Sequence, residues 1–203
     1  MFEKDIIMKS NLLKSIKLTL VFCVFFGVCY IFVLWVFAKV AGPNGGNAEV
    51  VEVDGKVVGG ANVGQLFTKD IYFWGRPSCA GDGYDASGSA GSNKGVTNPE
   101  YLKEVEARID TFLVKHPYLK RAEIPADMVT ASASGLDPEI SKTGAYIQIK
   151  RVAAARGMSE DEVKAVVDKQ VEGALLGVFG PADRVNVLKL NVALDAAQKS
   201  VKE

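Results

Sequence analysis

The polarity pattern divides the chain unevenly. Leu18 to Ala38, LTLVFCVFFGVCYIFVLWVFA, is a continuous apolar run without a charge. At about 1.5 Å per residue, a helix over it spans about 30 Å, the thickness of a bilayer's hydrocarbon core. A lone segment crosses lipid only as a helix, because lipid offers no partner to backbone polar groups. A cleaved signal peptide is the competing reading, yet its apolar region usually holds only about 7–15 residues. After the run, Ala41 to Ala48 (AGPNGGNA) has little to pack and reads as a linker. Glu49 to Val58 alternates around Asp54-Gly55, a pair suited to a two-residue hairpin.

From Gly75 to Asn98 the chain is rich in Gly, Ser and Asn, which predicts a long irregular excursion. A helix is expected to begin at Asn98, where a capping Asn is followed by Pro99 and Glu100, and to end near His116 before Pro117. Leu102, Val105, Ile109, Phe112 and Leu113 share its apolar face. Thr143 to Arg156 reads as one helix stopped by Gly157. Ser159 with Glu162 forms a capping box for the next, which carries Val163, Val166, Val167 and Val171. Val185 to Leu188 reads as a buried strand and Asn191 to Lys199 as a closing helix. The expected fold class is α+β: one N-terminal transmembrane helix plus a single mixed α/β extracytoplasmic domain. The expected organisation is 1–17 cytoplasmic tail, 18–38 transmembrane helix, 39–48 linker and 49–203 extracytoplasmic domain.

Charge sets the orientation. Lys4, Lys9, Lys14 and Lys17 precede the span, whereas Lys39 alone follows closely, with Glu49, Glu52 and Asp54 beyond it. The positive-inside rule then keeps the tail in the cytoplasm and exports the remainder, which for a bacterial source means across the inner membrane. The formal net charge is zero, which argues against a general nucleic-acid binder. Three Cys and one His do not make a disulfide framework or a Cys/His zinc site. Within the span, Thr19, Cys23 and Gly27 recur every fourth residue, a spacing at which small side chains let another helix approach closely.

Catalytic patterns are sparse. The chain carries neither GxxxxGK[ST] nor GxSxG. His116 reads as a surface cap beside a helix-ending Pro. Ser132, Ser134 and Asp137, in TASASGLDP, suit a turn held by side-chain hydrogen bonds better than a nucleophile site. Ser141-Lys142-Thr143-Gly144 echoes the P-type ATPase phosphorylation motif with Ser in place of the acceptor Asp, and so forms no acyl phosphate. Tyr72, Phe73 and Trp74 beside Arg76 form the kind of cluster that anchors protein interfaces. Two rival readings stand beside a partner-binding subunit. One is a membrane-anchored hydrolase using Ser132 or Ser134; the other is a single-span extracytoplasmic binding or sensory module.

Several blocks taken together carry a resemblance: YFWGRPS (Tyr72–Ser78), the ASGS…GSN loop containing Asn93 followed by TNP, VTASASGLDP (Val129–Pro138), QIKRVAAARG (Gln148–Gly157) and RVNVLKLNVALD (Arg184–Asp195). In this order and spacing they resemble the KdpC family, the C subunit of Kdp-type bacterial potassium-transporting ATPases, over nearly the whole chain. Lys150 stands where family members commonly have Pro, and Ser89-Ala90 interrupts the usual SGGSN. The resemblance implies a non-catalytic subunit with three protein partners: a channel-like potassium-translocating subunit, a P-type ATP-hydrolysing subunit and a small single-span subunit. Membrane lipid is a further partner. It also implies stabilisation of that assembly and a catalytic-chaperone role that raises the ATP affinity of the hydrolysing subunit, with ATP entering at family level and no cofactor of the chain's own. The charge flanks place the loops across the membrane from cytoplasmic ATP, so the expected route is indirect. Candidate partner-binding residues are Thr19, Cys23, Gly27, Tyr72, Phe73, Trp74, Arg76, Asn93, Ser132, Ser134 and Asp137.

Overall fold

A computed structural model describes residues 2–174 and 176–202. The chain separates into two compact units, residues 1–48 and 49–203. In the first, α1 (Phe2–Val24), a π-helical turn (Phe25–Tyr30) and α2 (Ile31–Ala41) form a continuous helical rod. From Met8 to Ala41 it is long and apolar enough to cross a membrane, and none of the most apolar window is buried in the chain itself. The helix therefore includes residues read above as a tail. It stops at Gly42, whose N–H donates to Ala38 O at 2.9 Å. A Cβ there would lie 2.4 Å from that same oxygen, so the exit requires glycine. A 3-10 turn over Pro43–Gly46 follows.

The second unit opens with the hairpin β1 (Val50–Val53) and β2 (Lys56–Gly60). Asp54 and Gly55, at φ 50° and 74°, supply the two left-handed residues of its turn. Residues 61–98 then run without regular structure apart from turns and bends. Asn98 Oδ1 accepts from the N–H groups of Glu100 and Tyr101, starting α3 (Pro99–Lys115) where the sequence indicates. The remaining elements are β3 (Glu139–Ser141), α4 (Lys142–Tyr146), α5 (Ile149–Arg156), α6 (Glu160–Gln170), β4 (Val171–Glu172), β5 (Arg184–Asn186) and α7 (Val187–Lys202). The second sheet is antiparallel with strand order β3-β5-β4. Ile140 and Val185 from this sheet, Ile149 and Val152 from α5, Val163 and Val167 from α6, and Leu190 and Leu194 from α7 build one core, which Phe73 and Phe112 complete. The architecture is mixed helix and strand behind one long apolar helix.

Two segments differ from their sequence reading for identifiable reasons. Thr143–Arg156 is broken between Tyr146 and Ile149: Tyr118 OH donates to Ile147 O at 2.8 Å, and the Gln148 side chain turns inward to bond the main chain of Trp74. Val187 and Leu188 are helical rather than extended. Asn186 Oδ1 accepts from Lys189 N–H at 3.0 Å, the N-cap bond that converts β5 into α7.

Candidate partner-binding site

The segment Asp70–Trp74 leaves a turn closed by Tyr72 N–H donating to Lys69 O at 3.1 Å and belongs to no sheet, and its main chain is held by side chains projecting from two helices and the α4–α5 turn. Arg151 Nη1 donates to Asp70 O at 2.6 Å, and both terminal nitrogens of Arg151 reach Tyr72 O at 3.1 Å. Arg156 Nε donates to Ile71 O at 2.6 Å. Asn191 brackets Phe73, its Oδ1 accepting from the Phe73 N–H at 2.8 Å and its Nδ2 donating to Phe73 O at 3.1 Å. Gln148 brackets Trp74 likewise, at 2.8 Å and 3.2 Å. Gln148, Arg151, Arg156 and Asn191 therefore supply the main-chain partners that a neighbouring strand would otherwise give to a segment packed on the core. The visible signal for them is polarity on helix faces that are otherwise apolar: Asn191 lies between the core residues Leu190 and Leu194, and Arg151 beside Val152.

His116 is buried, not a surface cap. It does stand at the C-terminal cap of α3, but its ring stacks on Phe112 with centroids 4.0 Å apart and packs edge-on to Trp74 and Tyr118. Its Nδ1–H donates to Phe112 O at 2.8 Å, while Nε2 accepts from Arg151 Nε at 2.9 Å. Both nitrogens are committed, which fixes one neutral tautomer. Burial, together with the adjacent Arg151 charge, lowers the imidazole pKa to about 4. Burial also brings Arg151 down to about 10. Its guanidinium lies 4.1 Å from the centre of the Trp74 ring.

The proposed contact residues have distinct environments. Phe73 is fully buried and belongs to the core, so its side chain is withdrawn from any partner. Tyr72 is half-buried, its hydroxyl directed to Asp195, which also pairs with Arg156 at 2.8 Å. Trp74 and Arg76 line an open groove of about 530 Å³ between α3 and the loops around Leu66 and Tyr84. Arg76 Nη1 pairs with Asp137 at 2.9 Å, while its buried Nε is the one buried side-chain polar atom without a partner among the described residues. The Tyr84 hydroxyl donates to Arg76 O at 2.7 Å, and burial followed by the Asp137 charge pushes its pKa up to about 12. Ser132 is buried, its Oγ accepting from Gly135 N–H and its own N–H donating to Pro77 O. Ser134 is exposed and braces the turn through Leu136 N–H. The carbonyl of Ser134 receives the Ala90 N–H and the Ser89 hydroxyl, which stitches the two Ser/Gly-rich loops together. Gly135, at φ 69°, is pressed so closely that a Cβ would lie 2.6 Å from Ala90 O. Asn93 is exposed at φ 52°.

Within the helical rod, the Thr19 hydroxyl donates back to Ser15 O at 2.9 Å, and Cys23 is exposed. Gly27 falls inside the π-helical turn, with nothing within 4 Å of where a Cβ would sit. Among the described residues, no group of three or more His, Cys, Asp or Glu side chains could hold a metal ion. The serines of VTASASGLDP serve loop geometry, and the sole imidazole is spent on the core.

These features define a class: a long apolar helix joined to a mixed α/β domain whose motif residues serve mostly to hold its own irregular loops in shape. The family model described as "K+-transporting ATPase, c chain" matches residues 12–196. The chain is 72% identical over 189 residues to the potassium-transporting ATPase KdpC subunit of Phocaeicola vulgatus, covering 93% of this chain and 100% of that one. It is 72% identical over 186 residues to the KdpC subunit of Bacteroides thetaiotaomicron (92% and 98% covered). To that of Caldanaerobacter subterraneus it is 48% identical over 187 residues (92% and 95% covered). The chain belongs to the KdpC family of potassium-transporting ATPase subunits.

Proposed function

We propose that this chain is a non-catalytic accessory subunit of an ATP-driven potassium uptake complex. It stabilises the assembly and acts as a catalytic chaperone that raises the ATP affinity of the P-type hydrolysing subunit. Its partners in this reading are the channel-like translocating subunit, the hydrolysing subunit and a small single-span subunit. The single observation that carries the reading is the commitment of His116: with both nitrogens bonded inside the core, the chain's one imidazole is withheld from acid–base work on Ser132 or Ser134. Family membership supplies the potassium-transporting context.

The lysine-rich flank supports a cytoplasmic N-terminus and a domain outside the inner membrane. In this reading the groove lined by Trp74 and Arg76 is separated from ATP by the membrane, and the effect on nucleotide affinity passes through the membrane subunits as a coupling free energy. Arg76, Trp74, Ser134, Asn93 and Asp137 are the contact surface in the domain; Thr19, Cys23 and Gly27 form the face of the span that meets a neighbouring helix. The test is a comparison of the complete complex with one carrying Trp74→Ala and Arg76→Ala. Expected are lower recovery of intact complex and a raised KM for ATP, with no nucleotide photo-crosslink on this chain. An ATP-competed crosslink on the chain would refute the indirect route.

A further inference from the structure

The loop between β4 and β5 behaves unlike the other irregular segments. From Gly173 to Ala182 (GALLGVFGPA) it carries no charge. Three of its side chains face solvent: Leu176 is 82% exposed, Val178 76% and Phe179 63%. Elsewhere in this domain the fully exposed apolar residues are mostly scattered, as is normal for a surface. Leu176 also sits at φ 54°, a region that a side chain bearing Cβ enters at a cost. Gly177 and Gly180, at φ 76° and 82°, shape the tip that presents Val178 and Phe179. The base of the loop is firm: Arg184 pairs with Glu172 at 3.2 Å and with Glu139 at 3.1 Å, closing β4 and β3 onto β5.

We propose that Leu176, Val178 and Phe179 form a second, interfacial membrane contact that inserts among lipid headgroups and upper acyl chains. This inference rests on the reading of the N-terminal helix as a membrane anchor. Three observations favour lipid as the occupant. The linker between the end of α2 and the start of β1 comprises residues 42–49. At no more than about 3.5 Å per residue, a chain of this length reaches at most roughly 30 Å, which bounds how far the start of β1 can stray from the helix end. Such a tether raises the effective concentration of the bilayer surface to the point where a weak contact persists. Next, three side chains fall far short of the about 800 Å² per partner of a stable protein interface, whereas a small apolar wedge suffices for interfacial binding beside an anchor. Finally, the tip has neither the polar rim nor the Arg, Tyr or Trp anchor that marks a protein-binding hot spot.

The test places the photo-crosslinking residue p-benzoylphenylalanine at position 179 of the full-length chain, within the complete complex in bacterial membranes. Position 96, where Val96 is 82% exposed, serves as the negative control, and position 37 in the helix as the positive control. Mass analysis of the illuminated chain is expected to show phospholipid adducts at 179 at least ten-fold above those at 96. Adducts to another subunit at 179 would overturn the proposal in favour of protein docking. Lipid adducts at 37 with none at 179 would overturn it while leaving the anchor intact. Absence of lipid adducts at both would overturn the anchor reading and the proposal together.

Discussion

Two irregular segments of the domain solve opposite problems. Asp70–Trp74 lies against the core with its carbonyls and amides bonded to buried side chains, and its central Phe73 is sealed inside. The loop between β4 and β5 turns Leu176, Val178 and Phe179 outward from a base closed by Arg184 ion pairs. Neither is a helix or a strand, yet one is held as firmly as a sheet interior and the other is presented to its surroundings. Order in this fold follows from where main-chain polar groups find partners rather than from secondary-structure class.

That contrast breaks most visibly at Arg151. Arg151→Met leaves the carbonyls of Asp70 and Tyr72 without donors in the core, and we expect a loss of about 4 kcal/mol. Thermal denaturation should show this as a fall in Tm of about 10 °C. Asn191→Leu keeps the volume but strips both bonds from Phe73, for an expected loss of about 3 kcal/mol in chemical denaturation.

His116 makes the laced segment sensitive to acid. Its folded pKa, about 4, lies below the ordinary 6.5 because burial penalises the charged ring. Between those values the unfolded chain takes up a proton that the folded chain refuses. Stability is therefore fully present above pH 6.5 and declines as pH falls toward 4, by up to about 1.4 kcal/mol per pH unit. Denaturation midpoints across that window measure the slope, and His116→Gln should flatten it. Arg76→Ala, at a half-buried ion pair, should cost only about 1 kcal/mol while reducing recovery of the complex. The smallest effect belongs to the outward loop: Leu176→Ser with Phe179→Ser should move the melting temperature of the domain by under about 2 °C.

Local signals in the sequence were legible wherever a single residue decides the geometry. Asn98 starts α3, Gly157 at φ 67° ends α5, Ser159 with Glu162 caps α6, and Asp54-Gly55 turns the hairpin. Signals that depend on distant partners were not. Gln148 looks like an ordinary helical residue until its amide is seen to bond Trp74, and only then does the break after Tyr146 make sense. His116 stands at the helix end that Pro117 predicts, but beside Phe112 of its own helix it is buried by Trp74 and Arg151, which come from two distant places in the chain. The same holds for the aromatic cluster. Tyr72, Phe73 and Trp74 are consecutive in sequence, yet the lacing turns Phe73 inward and leaves Trp74 at the groove.

The side-chain lacing of Asp70–Trp74 also settles alignment. Two paired strands can slide by two residues and recover nearly the same bonds, because their donors and acceptors repeat at a fixed interval. Here the clasps are two guanidinium groups from α5, a glutamine carboxamide from the α4–α5 turn and a shorter asparagine carboxamide from α7. Shifted by any number of residues, an arginine fork would meet a carboxamide's position and the match would fail. The segment has one seating, and no second chain can imitate it by zipping onto a bare edge.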